Sequence, residues 1–381
     1  MAKSKKETEQ KKVDIRNLFK TYASNTKGSR LEMFDEAQLP NVEDFISTGC
    51  YALNKILSGS YNKGIAHGRL TGVVGLPGVG KTYVCKNVIR EAQKQGYGVI
   101  IYDTENAYSK DDLERSGIDA SQVAYPAVTT INEWKTDIAN MLPALHADNP
   151  DQKWLVVTDS LANLLTEKEI ADTEEGGTAQ DMGLRAKQYS AASRILQKVI
   201  ANNNAAMLIT NHSYEKPAQN PNVPPVEIPK GGNGFIYMVS YMVGIKKYAV
   251  KDEQKNVVDN STEKVKVGNR MVFTTMKNRF VPEGMTAEAF INFREGLLPY
   301  QGLLEDAVKY GFIEKAGPRW DIKHLNKTVW TKDLYTDEIW LPILPEMDKK
   351  SSEDSQYSSY GDEAMKAMGD DATDKEEAKV D

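Results

Sequence analysis

One run of residues, Gly75-Leu76-Pro77-Gly78-Val79-Gly80-Lys81-Thr82, fits the pattern G-x-x-x-x-G-K-[ST]. Glycines let such a loop curl so that backbone N–H groups point at phosphate oxygens, and a helix starting at Lys81 adds the positive end of its dipole. In that setting Lys81 reaches the β- and γ-phosphates and Thr82 ligates Mg²⁺. Asp159 closes the apolar run Trp-Leu-Val-Val-Thr, 78 residues after Lys81. A carboxylate at the C-terminal end of a strand beside the loop can hold Mg²⁺ through water. Asp103 and Glu105 close another apolar run, Val-Ile-Ile-Tyr. A carboxylate there can orient or deprotonate an attacking water, and Glu105 is the expected base; Asp103 is read as a turn or helix cap. Together these residues specify hydrolysis of Mg²⁺-bound ATP.

The elements that must position them alternate. Strands are expected at Leu70–Val74, Gly98–Asp103, Trp154–Asp159 and Ala206–Thr210, with helices at Lys81–Gln95, Ile131–His146 and Arg185–Ala201. That alternation predicts an α/β fold, a mostly parallel central sheet flanked by helices on both faces. Tyr241–Lys247 and Arg270–Lys277 read as a later hairpin, Leu303–Phe312 as a helix, and 313–345 as a small mixed module. Near the N-terminus, Ile15, Leu18, Phe19 and Tyr22 fall at i, i+3, i+4, i+7, an amphipathic helix that either packs on its own core or docks on a neighbouring subunit.

The chain has 381 residues, 40% of them apolar and 27% charged, enough for a sizeable core. No apolar stretch is long enough to cross a membrane or to serve as a signal peptide. Two cysteines, Cys50 and Cys85, exclude a disulfide framework and a clustered metal site, which points to a reducing, cytoplasmic setting. The net charge of −6 is unevenly placed: Glu346–Asp381 carries 12 acidic residues and 5 lysines, which leaves the rest at +1. The Ser- and acid-rich stretch 346–381 is expected to be a disordered tail that competes with nucleic acid for a basic channel. The near-neutral body leaves nucleic-acid binding open.

Over roughly Ser47 to Ile322 the sequence resembles the RecA family of recombinases, most closely its phage-type UvsX-like members. Ser47-Thr-Gly-Cys-Tyr-Ala-Leu-Asn lies upstream of His67-Gly-Arg-Leu as in the family core. Tyr102-Asp-Thr-Glu105 resembles the strand bearing the catalytic glutamate, and Val157-Thr-Asp-Ser160 the strand bearing the Mg²⁺ aspartate. The resemblance makes His212, in Thr210-Asn-His212, the residue that senses the γ-phosphate. It makes Lys277 and Arg279, in Lys277-Asn-Arg279, the cations that reach a neighbouring subunit's ATP. Phe293, in Phe293-Arg-Glu-Gly296, stands where the family has a tyrosine contacting the neighbour's nucleotide. Asp112 stands where bacterial RecA has an adenine-stacking tyrosine, with Tyr108 as a nearby replacement. The implied architecture is an arm with an oligomerisation helix (1–46), a RecA-like core (47–295), a small C-terminal module (296–345) and the tail.

Two segments are candidates for DNA contact. The first, Thr166–Gly183, ends in Met182-Gly183-Leu-Arg185-Ala-Lys187 and resembles the family's first DNA loop. In the helix that follows, Lys187, Arg194 and Lys198 lie within about 20° of the Lys187 direction, opposite Tyr189, Ala192, Leu196 and Val199. A basic face over an apolar one suits phosphate contact. The second, Ser213–Lys230, is Pro-rich and structureless by pattern, and closes in Lys230-Gly231-Gly232-Asn233 as the family's second DNA loop does. Glycines there allow close approach of backbone to phosphate. Neither segment interleaves aromatics, so sequence-independent backbone binding is expected.

The resemblance therefore implies an ATP-dependent recombinase: a helical filament on single-stranded DNA, pairing it with homologous duplex, in a prokaryotic or phage-infected cell. Recombination mediators and single-strand-binding proteins are further expected partners. Two alternatives stand beside it, a hexameric helicase of the same fold and an ATP-gated scaffold without useful turnover.

Overall fold

The computed structural model describes residues 15–26, 44–175, 182–216, 226–248 and 268–355. The chain forms two units, Met1–Asn41 and Val42–Asp381. In the first, α1 (Ile15–Asn25) is the amphipathic helix that its apolar spacing predicts.

The second unit begins with a short antiparallel pair, β1 (Phe45–Ile46) and β2 (Ile65–Ala66), enclosing α2 (Tyr51–Ser58). The strands that follow are β3 (Leu70–Gly75), β4 (Gly98–Asp103), β5 (Val123–Ala124), β6 (Trp154–Asp159), β7 (Ala205–Lys216), β8 (Val226–Pro229), β9 (Tyr241–Tyr248), β10 (Gly268–Lys277), β11 (Thr286–Asn292) and β12 (Gly296–Leu297). Among the described residues they form one sheet in the order β12-β11-β10-β9-β3-β7-β6-β4-β5, with β8 attached to β7. From β9 to β5 all neighbours are parallel, while β10, β11 and β12 add antiparallel. The central strands are buried on both faces and alternate their side chains between two apolar layers. Val99, Ile101, Leu155, Val157, Ala206 and Leu208 join α3 (Lys81–Lys94) through Val84, Val88 and Ile89. Ile100, Tyr102, Val156, Met207 and Ile209 meet the other helical layer. That layer consists of α5 (Ile131–Asp148), which follows α4 (Lys110–Arg115), then α7 (Met182–Asn202), which follows α6 (Glu167–Glu174), and α8 (Gly232–Met238). Trp134 of α5 is wholly buried there, its indole N–H donating to Thr158 Oγ1 at 3.0 Å.

The C-terminal segment forms α9 (Leu304–Lys309), an antiparallel sheet of β13 (Ile313–Ala316), β14 (Arg319–Ile322) and β15 (Lys327–Val329), then α10 (Asp337–Trp340) and α11 (Leu344–Ser355). It shares one apolar cluster with α2 and α3 through Leu303, Ile313, Trp340 and Met347. Three sequence expectations are corrected here. Residues 346–355 are not tail: α11 continues through them because Met347 and Ser351 face inward, and Asp348 accepts from Ser60 Oγ at 2.7 Å. Residues 356–381 lie outside the described residues. The second candidate DNA segment is not structureless at its ends, since Ser213–Lys216 and Val226–Pro229 pair as an antiparallel ribbon. The first contains α6, whose capping box joins Thr166 and Glu169.

Candidate nucleotide and DNA site

Parallel topology brings the chemistry to one edge, the carboxyl ends of β3, β4, β6 and β7, where open α/β sheets place their ligands. Register sets the order: Gly75 lies opposite His212, and Asp103 opposite Asp159. The loop from Gly75 to Gly80 leads into α3, with Gly78 and Gly80 at φ 70° and 105°. Gly78 faces open space, whereas a Cβ on Gly80 would sit 2.8 Å from Ile291 Cδ1. The loop is thus wedged from below and open above, the shape of a phosphate cradle. Leu76 and Val79 flank it, Leu76 exposed and Val79 in the core.

Lys81 is nearly buried at 6% exposure, and its ammonium donates to the carbonyls of Gly75 and Leu76 at 3.1 Å each. Burial lowers its pKa, opposed by the nearby Glu105 and Asp159. Lys81 Nζ also lies 3.2 Å from His212 Nδ1, and His212 Nε2 lies 2.9 Å from Glu105 Oε1. An ammonium can only donate. Nδ1 therefore accepts and Nε2–H donates to the carboxylate, the neutral tautomer. Burial, then Lys81, lowers the His212 pKa in keeping with this. Glu105 Oε1 takes a further bond from Ser160 Oγ at 2.6 Å. Asp103 is the turn cap of the two alternatives, accepting from the N–H groups of Glu105 and Tyr108 and from Tyr125 OH.

Asp159 is 1% exposed, and its carboxylate accepts from Thr82 Oγ1 at 2.8 Å, Tyr108 OH at 2.9 Å and Thr210 Oγ1 at 2.5 Å. A hydroxyl beside a carboxylate is a hard oxygen set suited to Mg²⁺, and it holds too few ligands to do so without phosphate oxygens. Among the described residues no group of three or more His, Cys, Asp or Glu side chains gathers as a metal site. Tyr108 does not replace the adenine-stacking tyrosine: its hydroxyl turns inward to Asp159, while Asp112 pairs with Lys86 at 2.9 Å. Tyr83 of α3 and Phe293, which follows β11, form an aromatic pair, 6.1 Å between centroids, lining a cleft of about 570 Å³ with Lys86, Arg90 and Asp112. Sequence reasoning also missed Lys247, whose ammonium donates to the Gly78 carbonyl at 3.0 Å across 169 residues of chain, from the strand β9 that lies beside β3.

The DNA candidates separate. Lys187, Arg194 and Lys198 are exposed along α7, while Tyr189, Ala192 and Leu196 are buried beneath them. Gly183 is also exposed, and Met182 opens the helix. Arg185 sits on the inner side, its guanidinium bonded to both Glu169 oxygens at 2.8 Å and to the Leu164 carbonyl at 2.6 Å. Gly231 is corrected in its reason, since a Cβ there would lie 2.3 Å from Tyr189 Cε2. Its smallness admits that ring, whereas Gly232 is open and Asn233 exposed. Lys277 is held by its own chain, donating to the carbonyls of Ile236 and Val239 at 2.8 Å, while Arg279 is exposed beyond it.

The RecA N-terminal domain family model matches residues 13–297. Protein RecA of Anaplasma marginale (strain Florida) is 30% identical over 275 residues, 72% of this chain and 70% of that one. Protein RecA of Thermus aquaticus is 29% identical over 319 residues, 81% and 84% of the two chains. Protein RecA of Chlorobaculum tepidum is 28% identical over 292 residues, 76% and 77%. The chain belongs to the RecA family. It is a RecA-like recombinase and a DNA-dependent ATPase, and the helicase and scaffold alternatives are not favoured. Among the described residues, no helix of this RecA-family chain is long and apolar enough to cross a membrane.

Proposed function

We propose that the chain assembles on single-stranded DNA as a helical filament with Mg²⁺-ATP bound between subunits, and pairs that strand with homologous duplex. One observation carries the reading. Lys81, His212 and Glu105 form a continuous hydrogen-bonded chain at the phosphate cradle, and the His212 carbonyl accepts from the Lys230 N–H at 2.8 Å, where the second DNA segment closes. A γ-phosphate drawing Lys81 and His212 towards itself would shift both Glu105 and that segment. Nucleotide state and DNA grip are thereby linked through one residue, His212, by its ring on one side and its carbonyl on the other, and each ligand strengthens the other's binding.

In this mechanism the loop N–H groups and Lys81 hold the phosphates. Glu105, steadied by Ser160, accepts the proton of the attacking water. Thr82 and Asp159 would hold Mg²⁺, which neutralises charge on the phosphates. Lys187, Arg194 and Lys198, with Gly183, Gly232 and Asn233, would line the path of the DNA backbone; Arg185 is left out because it is already bonded within its own chain. Arg279 is the better placed of the two expected cations to reach a neighbour's nucleotide. Lys277 would first have to leave two carbonyls, so filament formation would open that contact. Phe293 would meet the nucleobase in the cleft beside Tyr83. A histidine at position 212 supports the UvsX-like type within the family.

Electron microscopy with single-stranded DNA and a slowly hydrolysed ATP analogue tests the assembly. Open-ended filaments that require both ligands support it. Closed rings or dispersed monomers at saturating ligand would refute it.

A further inference from the structure

The turn after β4 carries two side chains into the site from opposite ends. Glu105 reaches Ser160 at 2.6 Å, and Tyr108, three residues on, reaches Asp159 Oδ2 at 2.9 Å. The turn is fixed independently of that phenol. Asp103 accepts from the backbone of Glu105 and Tyr108, and Thr104 Oγ1 both donates to the Ser160 carbonyl at 2.7 Å and accepts from its N–H at 3.0 Å. The Tyr108 hydroxyl is therefore not needed to hold Glu105. Its proton goes to the Asp159 carboxylate.

An ionised carboxylate offers about four acceptor sites. On Asp159, Thr82 and Tyr108 take those of Oδ2, and Thr210 takes one of Oδ1. About one remains for a water held by a cation. Thr82 and Thr210 come from the cradle helix and from the adjacent strand, and between them they orient the group. The phenol is the third donor, and it draws charge away from the oxygen it touches.

We propose that Tyr108 is a positioning residue that limits how tightly Asp159 holds a divalent cation, by occupying one of the carboxylate's acceptor sites. The inference rests on Asp159 being the cation-holding residue. Its consequence is a cation that exchanges more readily with the spent nucleotide than it would if Thr82 and Thr210 alone oriented the carboxylate.

The test measures Mn²⁺ binding by electron paramagnetic resonance on the full chain with a slowly hydrolysed ATP analogue. Tyr108→Phe keeps the ring and removes the donor. Its Mn²⁺ Kd is expected to fall about three- to tenfold, less than the full worth of a hydrogen bond to a charged group because water takes the vacated site. Analogue affinity in EDTA should stay at the wild-type value, which also shows the variant to be folded. Tyr125→Phe removes a phenol from Asp103 in the same turn without touching Asp159, and should leave Mn²⁺ binding unchanged. An unchanged or raised Kd in Tyr108→Phe overturns the inference while leaving Asp159 as cation ligand. Wild-type Mn²⁺ affinity in Asp159→Asn overturns both.

Discussion

Arg185 and Lys187 stand two residues apart on α7 in opposite surroundings, Arg185 bonded within the chain and Lys187 exposed. Arg185 makes a two-pronged bond to Glu169 with side-chain exposures of 16% and 22%, plus a bond to the Leu164 carbonyl. Hydrogen bonds to charged groups contribute about 1.5–3 kcal/mol each, and they are not additive. Glu169 keeps its bond to the Thr166 N–H in the variant, so it is not stranded. Arg185→Ala should then cost about 2 kcal/mol locally, and by tenfold per 1.4 kcal/mol the α6 amides should exchange about 30-fold faster. Hydrogen exchange read by mass spectrometry over 166–175 checks this. The same variant should leave the salt dependence of single-stranded DNA binding unaltered. Lys187→Ala should lower that log–log slope by about 0.7 without changing exchange in α6. Unchanged α6 exchange together with a reduced slope in Arg185→Ala would refute the assignment and return Arg185 to the DNA surface.

Glu105→Gln should lower ATP turnover by about 10²–10⁴-fold while sparing nucleotide affinity, checked by steady-state hydrolysis and analogue binding. The His212 pKa lies below its ordinary value near 6.5, so below that pH the unfolded chain binds a proton that the folded chain resists. Stability from this group is present above about pH 6.5 and is lost as pH falls towards the lowered folded value. A pH series of melting temperatures should show that loss in the wild type and less of it in His212→Gln. Gly231→Ala, forced to φ 82° and against Tyr189, should destabilise the α7–α8 contact by about 2–4 kcal/mol and weaken DNA-stimulated turnover, with nucleotide binding retained. Truncation after Pro345 removes the buried Met347 and should lower the melting temperature; an unchanged melting temperature would contradict the packing of α11.

Much of the site could be read along the chain because its parts are local. The loop and helix at Gly75–Thr82 form one continuous segment, and Glu105 and Asp159 each end an apolar run whose burial on both faces makes it a central strand. The basic face of α7 also follows from spacing, since 100° per residue is a property of the helix itself. What escaped is pairing across distance. Nothing near Arg185 announces Glu169, because two helices must fold back before the pair forms. The helix α11 is hidden in a Ser- and acid-rich stretch, where inward positions such as Leu344, Met347 and Ser351 gain meaning only once the core they face exists.

The amino-acid order by itself determines which residues can hold phosphate, carry a base and form parallel strands, because those depend on side-chain chemistry and backbone periodicity over a few residues. Assembly in three dimensions settles what each charge and hydroxyl is free to do. Tyr108 meets a carboxylate 51 residues away, and Lys277 is held by carbonyls about 40 residues back. A polar group commits to the partner that folding brings within hydrogen-bond reach, and that partner is set by topology rather than by neighbours in the chain.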